Sequence, residues 1–216
     1  MLGKLLKKEI ALTMHPIVPF VLLMSVMVFI PNYPYTVVFF YTTLSIFFTC
    51  LLGRENNDVI YSLNLPIAKS DLVKGRFAFS ILLEMIQMAL VMALCLLKQN
   101  LHMTANEAGL EANIVLVGFG LLLYGIFNLV FFLNYYKNVS KVGFSFVIAS
   151  ILFFIGVIAE AVLTHAVPFI RDHLDTNDPE YMSEKMIVLI TGIILYIVLT
   201  AIAYNRSKKL FEVQDL

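Results

Sequence analysis

Tryptophan is absent from the 216 residues, cysteine occurs twice, and charged residues make up only 14%. Each shortage excludes something. A soluble domain carries about 25% charged residues, so too little charge is present to wet the surface of a chain that is 60% hydrophobic. Lys and Arg (15) balance Asp and Glu (15). There is thus no basic excess, and nucleic acid is not an expected partner. Cys50 and Cys95 cannot build a disulfide framework. They fall near opposite ends of the apolar runs described below, about 20 Å apart along the helix axes, and a disulfide needs Cα atoms within roughly 7 Å.

The motifs of energy-driven and hydrolytic chemistry are also missing. Gly120 and Gly125 have the spacing of a phosphate-binding loop, but Ile126 follows where the lysine should stand. There is no Gly-x-Ser-x-Gly for a serine nucleophile and no His-Glu-x-x-His for zinc. His15, His102, His165 and His173 are scattered. His165 and His173 with Asp172 and Asp175 are the nearest approach to a metal set, and a solvated acidic loop explains them better. No catalytic residue, metal or cofactor site is expected in this chain.

What is present is apolar sequence in lengths of about 20 residues, the span of a membrane helix. Such runs cover approximately 14–31, 35–53, 77–97, 112–134, 142–164 and 186–204. Pro16 and Pro19 blur the start of the first, because proline bends or caps a helix. The expected fold is all-α: one six-helix transmembrane bundle occupying 1–216. A basic amphipathic helix precedes it at the membrane interface, with Leu2, Leu5, Leu6 and Ile10 on one face and Lys4, Lys7 and Lys8 on the other.

Loop charge sets the orientation. Lys4, Lys7, Lys8, Arg54, Lys69, Lys74, Arg76, Lys137, Lys141, Arg206, Lys208 and Lys209 fall on one side; Lys98, Arg171 and Lys185 fall on the other. This twelve-to-three split places both termini in the cytoplasm. The longest cytoplasmic loop is 54–76. Within it Asn57 or Asp58 can cap a short helix toward Leu63, and Pro66 ends that helix in a bend.

Polar residues inside the spans are functional candidates. Glu84 and Asn128 have matching depths. Glu84, Gln87 and Met88 share a helix face at i, i+3, i+4 spacing, with Met85 and Met92 near. The set Glu84, Gln87, Met88 and Asn128 either lines a cargo cavity with an adaptable thioether surface or makes an interhelical hydrogen bond with methionine as filler. Glu160, near the outer end of its span, is expected to reach interfacial water. Ala89 with Ala93, and Ser145 with Ala149, are small-residue pairs suited to close helix contact.

The stretch Ser62–Phe77, Ser-Leu-Asn-Leu-Pro-Ile-Ala-Lys-Ser-Asp-Leu-Val-Lys-Gly-Arg-Phe, resembles the corresponding loop of ABC-2 class permease subunits of bacterial ABC transporters. The whole-chain architecture is similar to the small six-helix permeases that export bacteriocin-like and phenol-soluble-modulin peptides. The resemblance implies a permease in the bacterial plasma membrane, paired with an identical or different second permease. ATP and Mg would be held by a separate ATPase subunit. It implies that Glu55, Asn57, Asp58, Val59, Ile60, Tyr61 and Leu63 form a coupling helix that docks on that ATPase, with Tyr61 as anchor, and that Val167–Ile170 belongs to an outer cap. Two other readings stay open from the residues: a stand-alone membrane protein for immunity or signalling, and a secondary transporter using Glu84 and Glu160.

Overall fold

The computed structural model describes residues 2–64 and 67–213, and among these every regular element is helical. The expected bend at Pro66 lies outside the described residues, as does the side chain of Leu2. Helix α1 (Leu2–Lys8) runs into a π-helical turn, Glu9–Thr13. Then come α2 (Val18–Leu23), a 3-10 segment Met24–Phe29, α3 (Val37–Glu55) and α4 (Asp58–Leu63). The long helices are α5 (Lys69–Asn100), α6 (Ile114–Lys137), α7 (Val142–Ala166) and α8 (Met182–Glu212).

Five of the described helices (α3, α5, α6, α7 and α8) are long and apolar enough to cross a membrane. The expected first span, 14–31, is not one continuous helix. Segments Gly3–Thr13 and Val18–Phe29 meet at a 97° bend, and only together do they meet the same test. Pro16 and Pro19 lie at the break. Each lacks the N–H that would continue the helical ladder, and His15 closes the gap by accepting the Ile17 N–H at Nδ1 (3.1 Å). The result is an all-α integral membrane bundle with five span-length helices among the described residues, or six spans if the bent pair is one of them.

Helix α6 is the central post. Of its most apolar window 67% is buried within the chain, against 22% for α7 and for α8. Its most extensive partner is α8, and glycine explains why. A Cβ on Gly192 would come within 2.2 Å of the Gly118 carbonyl oxygen, and one on Gly118 within 2.9 Å of the Leu189 Cα. Backbone therefore meets backbone, the close approach that dispersion-driven packing in lipid favours. On the opposite side Phe39 of α3 lies over Gly120, where a Cβ would sit 2.4 Å from its ring. The Ser145–Ala149 pair is buried, whereas Ala89 and Ala93 face outward. Cys50 and Cys95 are buried free thiols.

The bundle has two ends. The near end carries α1, α4, the start of α5 and the last turns of α6 and α8. The far end carries the turn 30–36 and the segments 101–113 and 167–181. Helix α5, at 32 residues, measures roughly 48 Å and overreaches a hydrocarbon core of about 30 Å, so it extends into both ends.

Candidate functional site

At the near end, Arg76 organises a buried ionic junction. Its Nε lies 3.2 Å from Glu9 Oε2 and its Nη2 lies 3.0 Å from Asp58 Oδ2, while Nη1 donates to the Thr49 carbonyl (3.4 Å). Lys8 Nζ reaches Asp58 Oδ1 at 2.7 Å and Glu9 Oε1 at 3.6 Å, and Ser62 Oγ donates to Asp58 Oδ1. Arg76, Glu9 and Asp58 are all buried. Two cations and two carboxylates balance, as burial of charge requires. The junction joins α1 and its π turn, α3, α4 and α5.

This arrangement sorts the expected coupling-helix residues by direction. Asp58 is turned inward and anchors α4 through Lys8 and Arg76. The carboxylate in the first turn also suits the positive helix end. Asn57 supplies the N-cap position in a left-handed conformation (φ 51°) without a side-chain cap bond. Val59 and Leu63 are partly buried and pack on the core. Ile60 (55% exposed) and Tyr61 (58%) face out, and Glu55 is an exposed neighbour of Arg54. A small recess beside α4, about 100 Å³, includes Val59, Ile60, Tyr135 and Val139.

In the middle of the bundle lies a polar node. Asn128 Nδ2 donates to Glu84 Oε2 (3.1 Å) and to Thr200 Oγ1 (3.2 Å), and Tyr196 Oη donates to Glu84 Oε2 (2.6 Å). The hydrogen bond expected between Glu84 and Asn128 is therefore present, and α8 contributes two partners that sequence reading missed. Glu84, Gln87 and Asn128 have no exposed surface and Met88 is buried. In this conformation the four lie inside the bundle. Met85 points outward instead of continuing a methionine stripe. Glu84 Oε1, Asn128 Oδ1 and both amide atoms of Gln87 face no hydrogen-bond partner. In front of the node, a recess of about 430 Å³ opens between α5 and α8, headed by Lys74 and floored by Tyr196 and Thr200.

The far end is held together by buried polar contacts. Lys98, expected as a loop cation, is buried against Glu111 and donates to Tyr35 Oη (2.9 Å). Lys185, also expected in a loop, is fully buried, pairing with Asp178 at 3.1 Å and donating to the carbonyls of Thr176 and Asn177. Glu160 does not reach interfacial water. It accepts from Thr36 Oγ1 (3.0 Å) and from the Leu110 N–H (2.6 Å). Asn113 caps α6, accepting from Val115 and Leu116 N–H and donating to the carbonyls of Leu174 and Thr176. Burial pushes the Asp175 carboxyl up to about 6, against the N–H of Glu111 that it accepts. The four-residue metal set does not form. His165 bonds the carbonyls of Ala161 and Glu107, His173 stacks on Phe169, and Asp172 pairs with Arg171. No group of three or more metal-capable side chains occurs among the described residues.

The family model described as ABC-2 family transporter protein matches residues 4–212. No curated protein and no solved structure matches the chain. The match takes in every helix of the bundle, from the ionic junction to the last turns of α8. The chain belongs to the ABC-2 transporter family and is a membrane-embedded, multi-pass permease component of an ABC transporter.

Proposed function

We propose that this permease is the membrane subunit of an ATP-driven exporter, that its near end faces the bacterial cytoplasm, and that a separate ATPase subunit docks on α4. The observation that carries the reading is the two-sidedness of α4. Its inward side is fastened through Asp58 to Lys8 and Arg76, while Ile60 and Tyr61 project outward. A six-residue helix cannot hold itself together in isolation. Fastened in this way, it passes a push on its outer face to α1 and α5 through the junction.

Charge supports the orientation. Of the three far-end cations, Lys98 and Lys185 are buried in ion pairs and Arg171 is paired with Asp172. The near end keeps the basic excess. ATP and Mg belong to the ATPase. A second permease, identical or different, completes the pathway. The cargo is amphipathic or apolar, with a peptide as the class the sequence resemblance favours. The unpartnered atoms of Glu84, Gln87 and Asn128 lie behind Tyr196 and Thr200, which line the recess between α5 and α8; cargo reaches them only if α5 and α8 part. A secondary transporter using Glu84 and Glu160 fits less well, because the Glu160 oxygens are already engaged.

Co-purification with the co-expressed ATPase tests the docking. Aromatic anchors at interface centres cost about 2 kcal/mol or more on truncation, so Tyr61→Ala should weaken ATPase binding at least about tenfold, and Ile60→Asp should do so too, with the permease still folded and inserted. Full retention of the ATPase by both variants would defeat the assignment.

A further inference from the structure

The near end carries a second feature that the docking of α4 does not use. The last turns of α8 and the end of α6 enclose a recess of about 480 Å³ lined by Lys137, Arg206, Lys209, Leu210 and Val213. Three cations from two helices converge there, and no carboxylate is among the lining residues. Among the described residues, none of the three has an ion-pair partner. At the same end Lys8, Arg54 and Arg76 each have a carboxylate partner. The apolar part is as distinctive as the charge, for Val213 is 84% exposed and Leu210 is exposed beside it.

Depth narrows the occupant. Helix α8 has 31 residues and measures roughly 46 Å; its apolar stretch ends at Tyr204, so Arg206 to Val213 run at headgroup level beyond a core of about 30 Å. Lys137 closes α6 at the same level, where Tyr136 of α6 packs on Phe211 of α8. An anion held by charge alone gains nothing from Leu210 and Val213. An amphiphile that places a phosphate among the cations and hydrocarbon on the two apolar side chains uses the whole recess. Basic pockets between membrane helices are suited to acidic headgroups. We propose that this recess is a binding site for one anionic phospholipid, independent of how the ATPase docks.

The test is native mass spectrometry of the detergent-purified full chain titrated with dioleoyl phosphatidylglycerol, with dioleoyl phosphatidylcholine as the neutral lipid and inorganic phosphate as competitor. The wild type should hold one phosphatidylglycerol in preference to phosphatidylcholine, and millimolar phosphate should not displace it. Each cation near an anionic lipid is worth about fivefold in binding. The triple variant Lys137→Gln, Arg206→Gln, Lys209→Gln should therefore bind it about 100-fold more weakly. The control triple Lys4→Gln, Lys7→Gln, Lys141→Gln removes the same charge from exposed near-end positions outside the recess and should bind like the wild type. The three single variants, each expected to lose about fivefold, give the same reading if the triple does not purify. Equal losses in both triples would reduce the effect to diffuse surface charge and overturn the site. Displacement by phosphate would make it a free-anion site and overturn the lipid. Binding unchanged in the recess variants would overturn it as well.

Discussion

Both ends of the bundle bury ion pairs, but they use them differently. At the near end one guanidinium, Arg76, serves two carboxylates that come from α4 and from the turn after α1. The charges tie helices to one another, and α4 keeps an apolar outer face. At the far end each cation has a single carboxylate, Lys98 with Glu111 and Lys185 with Asp178, and the loops link the two pairs, since Asp175 accepts the Glu111 N–H and Asp178 accepts the Ile114 N–H. There the charges tie loops down onto helix ends. The hub ties four elements at one residue, whereas the far-end contacts fasten two loop segments to helix ends at several residues.

The strongest way to break this contrast is Arg76→Met. It leaves Glu9 and Asp58 to share Lys8 alone, and removal of one partner from a buried pair costs about 3–5 kcal/mol. The variant should show a large drop in melting temperature in detergent and lose the co-purifying ATPase. A loss of stability below about 1 kcal/mol would mean that Arg76 is not a hub.

Smaller and more local effects are expected at the far end. Lys98→Met alone leaves Glu111 buried and unpaired and should cost a few kcal/mol. Lys98→Met with Glu111→Gln should recover most of that, since replacing both partners of a buried pair is often nearly neutral. ATPase association should be unchanged in both. A double variant as unstable as the single, or a lost ATPase, would erase the distinction between the ends.

Between the ends, Glu84→Gln should have the smallest effect on folding. Both donors, Asn128 Nδ2 and Tyr196 Oη, reach the same oxygen, and an amide carbonyl can accept both. If the node meets cargo when α5 moves, the variant keeps its melting temperature but changes cargo-stimulated ATPase activity of the reconstituted complex. Unchanged activity would leave the node a purely structural contact.

The all-α membrane bundle was legible because apolar runs of span length need no partner to be recognised, and the Glu84–Asn128 contact because the two depths matched. The ionic junction was not legible. Glu9, Asp58 and Arg76 lie far apart in sequence, and no local period links them. Lys98 and Lys185 read as loop cations because composition marks where apolar sequence stops, while α5 and α8 continue past it and fold those lysines inward. The α6–α8 seam was also missed. Small residues four apart drew attention to Ala89 and Ala93, which face outward, while the seam is built on Gly118 and Gly192 from different helices. The spacing of seven between Gly118 and Gly125 on one apolar helix was the available signal. Tyr196 and Thr200 could be placed beside Glu84 only once that seam fixed the rotation of α8.

The central claim is that the ATPase touches the outer face of α4 and not the far end. Site-specific photocrosslinking in intact cells measures this directly, with a benzophenone amino acid placed in turn at Tyr61, at Ser62 on the buried side, and at Phe169, which is exposed at the far end. An ATPase adduct is expected from position 61, little from 62 and none from 169. An adduct from 169, or none from 61 while the complex remains assembled, would contradict it.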